Sequence, residues 1–170
     1  MATYYSSLYA DQAVGGISTY DSQFKSDPRL SHGRVRVNFA SITVASGWAA
    51  ATNFAFATMK GSDRILQCWF ECGDIGAANA DLDIGVHNVL SNGDLGAVGA
   101  ADSIADNLNI AGAVTWADLM SITTRGKQVY ELAGTGASAD SQYIISGTTA
   151  TAATDAAGTI NVGIYYTAGD

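Results

Sequence analysis

The chain has 170 residues, enough for one domain with a sizeable core, because 48% of its residues are hydrophobic and only 14% are charged. Its 16 acidic and 8 basic residues give a formal net charge of −8, and the basic residues form no cluster that would contact a phosphate backbone. Direct nucleic-acid binding is therefore not expected. No apolar run reaches about 18 residues, and the N-terminus lacks the features of a signal peptide, so we expect no membrane span and synthesis in the cytoplasm.

Residues 1–33 show no lasting strand or helix period, and their large apolar side chains are mostly aromatic. We interpret them as an extended N-terminal arm, which ends at a turn around Pro28. Aromatic side chains favour burial, so the arm is expected either to pack along its own domain or to anchor on a neighbouring chain. The candidate contact residues of the arm are Tyr4, Tyr5, Leu8, Tyr9, Tyr20 and Phe24.

Residues 34–170 are predicted to form one β-sandwich domain that begins with four strands. In the first strand, Val35, Val37 and Phe39 share one face, which we assign to the core. Because the apolar parity then changes at Ile42, a bulge is predicted near residues 40–41. The third strand is partly apolar on both faces, which predicts a central strand or one that faces a partner. The four strands are predicted at residues 34–45, 53–59, 64–72 and 81–89.

The most regular apolar alternation lies in residues 59–90, where two strands flank a loop of small residues. On the fourth strand this alternation predicts that Asp81, Asp83 and His87 point outward. The two cysteines of the third strand are four residues apart, so their Cα atoms would lie about 13 Å apart, too far for a disulfide. Two buried free thiols are therefore expected. The predicted core positions are Leu66, Cys68, Phe70, Cys72, Leu82, Ile84 and Val86.

The second half of the domain has a weaker pattern. Residues 97–121 allow a short helix or an irregular connection, with one strand placed near 107–111. Further strands are predicted at 126–133, 142–149 and 159–167. About eight strands with regularly spaced turn signals are typical of a β-sandwich or barrel, and helix is expected to be a minor part. The predicted fold class is all-β, a sandwich of antiparallel strands.

Three short motifs occur in this sequence in the same order as in one protein family. They are a turn ending in acid-Arg-Ile, an L-x-I-G strand, and an A-G-T-I-x-V start to a tyrosine-rich last strand. With the stretches RVRVNFASITV and NFAFATMKGSDRILQCWFE, the layout of residues 34–167 resembles small virion structural proteins of tailed bacteriophages. The motif residues are Gly61, Asp63, Arg64 and Ile65, then Leu82, Ile84 and Gly85, and finally Ala157, Gly158, Thr159, Ile160 and Val162.

The resemblance implies a jelly-roll-like sandwich that decorates or cements a capsid, often as a trimer. We therefore expect a structural protein of the virion exterior, made in the host cytoplasm, that binds the major capsid protein. No catalytic activity and no cofactor are expected. Trp116, in the segment without a clear pattern, joins the arm residues as a candidate partner-interface residue.

Carboxylates provide the best candidates for other chemistry. Asp81 and Asp83 would have Cα atoms about 6.5–7 Å apart on one strand face, and glycosidases use carboxylate pairs at comparable separation. Exposed acids on a strand are more commonly surface or edge groups. His87 would lie about 13 Å from Asp83, too far for both to ligate one metal ion. A Ca²⁺ ion bound by one aspartate and loop carbonyls remains open.

A carbohydrate-binding β-sandwich, as part of a host-attachment or fibre protein, is the alternative function. Such a module needs exposed aromatic rings along a groove. The three tryptophans, Trp48, Trp69 and Trp116, are its candidate sugar platform, and burial of all three would argue against it.

Overall fold

The computed structural model describes residues 35–90, 95–150 and 154–169 of the chain. Residues 1–34 lie outside this part, and so do all six arm residues predicted to contact a partner. The described residues form eight strands and one five-residue helix. None of their helices is long and apolar enough to cross a membrane.

Two four-stranded antiparallel sheets form a sandwich. The elements are β1 (Val35–Val44), β2 (Asn53–Lys60), β3 (Arg64–Cys72), β4 (Asp81–Val89), β5 (Leu95–Asn109), β6 (Val114–Asp118), α1 (Val129–Ala133), β7 (Gln142–Thr149) and β8 (Gly158–Thr167). The strand order is β1-β8-β3-β6 in the first sheet and β2-β7-β4-β5 in the second. This double-sheet arrangement of eight strands is jelly-roll-like, which confirms the predicted fold class.

The facing sides of the two sheets form one hydrophobic core. Alternation along β4 places Leu82, Ile84 and Val86 in it with no exposed surface, as predicted. Cys68 and Cys72 are free and buried, as expected from their spacing. The regular stretch of the sequence therefore does line the core.

At its start, β3 departs from strict alternation. A register shift against β8 lies between Ile65 and Gln67, and it turns Ile65 into the core. Leu66, predicted as a core residue, is only half-buried for the same reason. Further along, β3 lies between β8 and β6, so the prediction of a central strand is confirmed.

Along β1, the residues that face the core are the alternate set to the predicted one. The strand pairs with β8 residue by residue over its whole length, so the predicted bulge near residues 40–41 is absent. Ile42 and Val44 therefore share the inward face, and Val44 is fully buried. Apolar residues occupy both parities of this strand, so alternation could not decide between them. The residues wrongly assigned to the core are Val35, Val37 and Phe39, all of which are exposed.

In the second half, the strands predicted at 142–149 and 159–167 are confirmed as β7 and β8, but the elements before them differ from the predicted ones. Residues 97–121, expected to be helical or irregular with one strand near 107–111, contain most of β5 and all of β6. β5 is rich in Ala, Gly, Asp and Asn, which have low strand propensity, and pairing with β4 holds it extended. β6 is a strand of only five residues, and it pairs with β3. Residues 126–133, predicted as a strand, contain α1 instead. The Gln128 N–H at its start donates to Glu131 Oε2 at 2.7 Å, a contact that stabilises a first helical turn.

Candidate interaction surface

The outer side of the first sheet carries four aromatic residues, one from each strand. They are Phe39 on β1, Tyr165 on β8, Trp69 on β3 and Trp116 on β6, and we call this group the aromatic face. Together they line an open pocket of about 290 Å³. A pocket with only aromatic walls can bind an apolar or aromatic group by contact and stacking.

Strand register brings these rings together. Phe39 lies opposite Gly163 in the β1–β8 pairing, and Gly163 lies opposite Trp69 in the β8–β3 pairing. A Cβ atom at Gly163 would come within 2.9 Å of Phe39 Cε1 and 3.7 Å of Trp116 Cζ3. The glycine thus leaves room for rings from both edge strands to approach the backbone of β8. Phe39 also meets Tyr165 edge to face, with ring centroids 6.3 Å apart.

Much of this surface is open to solvent. Phe39 is 67% exposed and Trp116 is 44% exposed. Val35 and Val37 continue the apolar surface along β1 and are also exposed. Contiguous exposed apolar surface of this kind marks interaction sites more often than ordinary protein surface.

Two acidic groups beside the aromatic face have polar partners within the sandwich. On the same side of β3, Glu71 accepts a hydrogen bond from Asn161 at 3.1 Å. Asp118, opposite Trp69 in the β3–β6 pairing, forms an ion pair with Arg125 at 2.8 Å. An apolar centre with a polar rim is the usual anatomy of a protein–protein interface.

The second sheet differs from the first sheet because its outer side is covered at β4. The helix α1 packs against β4 and β5, and its residues Val129, Leu132 and Ala133 are buried. The backbone of β5 also crosses over β4, since a Cβ atom at Gly85 would lie only 2.0 Å from the Ala100 carbonyl oxygen. The two sides of the sandwich are therefore unequal, and the aromatic face is on the open one.

This cover corrects the prediction for His87. The sequence placed it on an outward, solvated face of β4, but the residue is only 1% exposed. Its Nδ1 atom is hydrogen-bonded to Ser146 Oγ, and its Nε2 atom has no hydrogen-bond partner among the described residues. Burial lowers the pKa of the imidazole.

One of the candidate acids of β4, Asp83, has a structural use. Asp83 Oδ1 accepts the backbone N–H of Asn107 at 2.9 Å, at a point where β5 adopts a positive φ of 53°. Within the described ranges, no three His, Cys, Asp or Glu side chains are grouped to hold a metal ion.

The cysteines do not contribute a nucleophile to the surface. Burial, with a smaller contribution from the charge of Asp118, raises the pKa of Cys68 to about 12. Burial also raises the pKa of Cys72. A thiol is reactive as the thiolate, so both groups are unreactive at neutral pH.

Of the residues predicted to contact a partner, Trp116 lies on the aromatic face, and the six arm residues lie outside the described part of the chain. Sequence reasoning missed Phe39 and Tyr165 as surface residues. The sequence signal that could have indicated an apolar outer surface was the presence of apolar residues on both sides of β1 and of β3. Trp48 is not part of the aromatic face: it is half-buried and stacks on Phe54 at a centroid distance of 5.1 Å.

No protein-family model and no curated protein matches the chain. The solved structures that are similar to it in fold include chains of two phage capsids. A chain in the capsid of Ralstonia phage GP4 aligns with a TM-score of 0.60 and 14% identity, over 82% of this chain and 87% of that chain. A chain in the cyanophage Pam1 capsid asymmetric unit aligns with a TM-score of 0.57 and 17% identity, over 89% of this chain and 99% of that chain.

Proposed function

We propose that this chain is a structural protein of a bacteriophage virion, which binds the outer surface of the capsid and stabilises it as a decoration or cement protein. The supporting observation is the fold similarity to chains in two phage capsid structures. The match covers 87% and 99% of those chains, so each consists of little more than this fold. The resemblance of the sequence motifs to small virion proteins points the same way.

In this proposal the chain works through buried surface. The arm, residues 1–33, and the aromatic face provide the contacts, and residues 34–170 form the rigid sandwich that carries them. The partners are the major capsid protein and further copies of the same chain in a homotrimer, since closed symmetry satisfies identical patches on every copy. A stable contact buries roughly 1,600 Å². No cofactor and no catalytic step are required.

The acidic sandwich suggests the character of the capsid surface that it binds. With a formal net charge of −8, the chain is attracted to a basic surface. Binding to capsids is therefore expected to weaken as salt is raised from about 0.05 to 0.5 M, because screening shortens the range of the attraction.

Particles stripped of this chain test the proposal. They are expected to release their DNA at a lower temperature and after a milder osmotic shock than complete particles. Adding back the purified wild-type chain should restore resistance, and adding the same mass of serum albumin should not. Stripped particles with unchanged resistance would contradict a cementing role.

Carbohydrate binding is the second candidate, favoured by one observation. Trp69 and Trp116 line an open pocket with two further aromatic rings, as a sugar platform requires. A glycan array probed with the purified chain separates the candidates. Specific glycan binding, with no binding to stripped particles, would replace the capsid proposal with a host-attachment one.

A further inference from the structure

The aromatic face is an apolar docking surface whose lining consists of four aromatic rings. Beside it, Asp118 is ion-paired with Arg125, and Glu71 accepts a hydrogen bond from Asn161. A charged group seated over the rings would lose hydration and find no ion-pair partner among them. The fitting occupant is therefore an aromatic segment without net charge.

The segment that precedes β1 has this composition. Residues 1–34 contain three acidic and three basic residues, whereas residues 35–170 contain 13 acidic and 5 basic residues and so carry the whole formal charge of −8. The segment also contains five of the 16 aromatic residues of the chain. Tyrosine suits an apolar surface with a polar rim, since its ring can pack while its hydroxyl reaches the rim.

The length of the segment that precedes β1 allows it to reach the aromatic face of another copy. The 34 residues before Val35 span up to about 110 Å when extended. The turn predicted around Pro28 lets the segment leave the axis of β1, so it is not confined to its own copy. The proposed homotrimer needs a contact between copies, and exchange of this segment supplies one in which every copy donates and receives the same surface.

We propose that the aromatic face binds residues 1–33 of a second copy of this chain. The inference deepens the proposed homotrimer and rests on it. Each copy donates one arm and receives one arm, so the contact is head-to-tail, and a threefold arrangement closes it without leaving an unused face. The arm residues that bind are the tyrosines and Leu8 of its first part, and Phe39 and Trp116 are the main receiving residues.

Two full-length variants test this arrangement in solution, without capsids. An arm variant replaces Tyr4, Tyr5, Leu8 and Tyr9 by Ser and keeps the aromatic face. A face variant, F39A with W116A, keeps the arm. Neither receiving side chain is part of the buried core, so the face variant is expected to fold, and circular dichroism with a thermal melt checks this. The matched control is L90A, at an exposed apolar residue that follows β4.

Light scattering after gel filtration gives the mass of each species. We expect the wild type and L90A at about three times the chain mass of 17.5 kDa, and each variant alone as a monomer. An equimolar mixture of the two variants retains one intact arm and one intact face, so it should form a dimer. That complementation occurs only when an arm binds another copy.

Other results overturn the inference. A mixture that stays monomeric, with both variants less stable than the wild type, would show that each arm covers its own face. An oligomer that survives in both variants would show that the arm–face contact does not hold it together. Either result leaves the capsid proposal standing, because that proposal is tested on particles. Loss of capsid binding by a wild-type trimer would refute the function and leave the arm–face contact intact.

Discussion

The imidazole of His87 is buried on β4, where Ser146 Oγ is hydrogen-bonded to its Nδ1 atom. Burial favours the neutral ring and lowers its pKa below the ordinary value of 6.5. A residue that the sequence suggested as a surface group is thus a pH-sensitive part of the interior. Its effect is on stability, since the unfolded chain binds a proton at a higher pH than the folded one does.

Lowering the pH from 7.5 to 5.5 is therefore expected to reduce the free energy of unfolding. As the pH falls below about 6.5, His87 is protonated first in the unfolded chain. The folded state therefore becomes less stable until the pH reaches the lower pKa that His87 has in the folded chain. Urea unfolding of the wild type and of H87Q measures this. The substitution should flatten the pH dependence, apart from a constant offset.

Two glycines of central strands provide a second test at the residue scale. A Cβ atom at Gly85 would meet the Ala100 carbonyl oxygen at 2.0 Å, and backbone cannot move aside cheaply. A Cβ atom at Gly163 would meet the ring of Phe39 at 2.9 Å, and that ring is exposed and can rotate. We expect G85A to lower the free energy of unfolding by about 3 kcal/mol and G163A by less than about 1 kcal/mol. Equal losses in urea unfolding would contradict the crossing of β5 over β4.

At the scale of elements, β1 illustrates both the strength and the limit of alternation. Its period is that of a strand, and its boundaries were predicted to within one residue at each end. The sequence did not predict which side of β1 faces the core, because both sides carry apolar residues: Val35, Val37 and Phe39 on one, and Ile42 and Val44 on the other. Only the pairing with β8 decides which set meets the core.

The orientation of β1 predicts that two phenylalanines of the same sheet differ in their contribution to stability. Phe70 on β3 has no exposed surface, whereas Phe39 on β1 is 67% exposed. F70A is expected to lower the free energy of unfolding by about 3–5 kcal/mol, because it leaves a cavity, and F39A by less than about 1 kcal/mol. Denaturant titration compares them. A large loss for F39A would mean that β1 points the other way.

The elements that sequence reasoning could not predict are those held mainly by their partners. β5 and β6 are edge strands, of which β5 has weak strand propensity and β6 has only five residues. Asp83 binds the backbone of β5 where its regular pairing is interrupted. In α1, five residues with mixed apolar and polar character fit either a strand or a helical turn. Bonds from the N–H groups of Val129 and Tyr130 to the carbonyls of Asp63 and Gly61 fix the helix.

The candidate site was predictable only in part for a similar reason. Trp116 was identified as a contact residue, but nothing in the local pattern placed it beside Phe39, 77 positions earlier in the sequence. That proximity depends on the order of strands in the first sheet, which joins residues from the start, middle and end of the chain. Periodicity reports which way a side chain points and says nothing about which distant strand lies next to it.

At the scale of the whole molecule, the strand order sets the folding rate. Of the six strand pairs in the two sheets of the described residues, only β4–β5 joins consecutive strands. Closing long loops before contacts can form slows folding. Refolding after dilution from urea is expected to take milliseconds to seconds or longer, as followed by tryptophan fluorescence in a stopped-flow instrument. Complete refolding within about 100 μs would be inconsistent with this topology.

The place of β8 has a consequence for how the protein is made. It is the last of the eight strands to leave the ribosome, yet it lies in the interior of its sheet, between β1 and β3. Until β8 emerges, β1 has no neighbouring strand in that sheet, and no strand joins the ring of Phe39 to those of Trp69 and Trp116. Each nascent chain therefore remains an unfinished sandwich for nearly the whole of translation, and a chain truncated before β8 is expected to be degraded by proteases instead of forming a smaller folded protein.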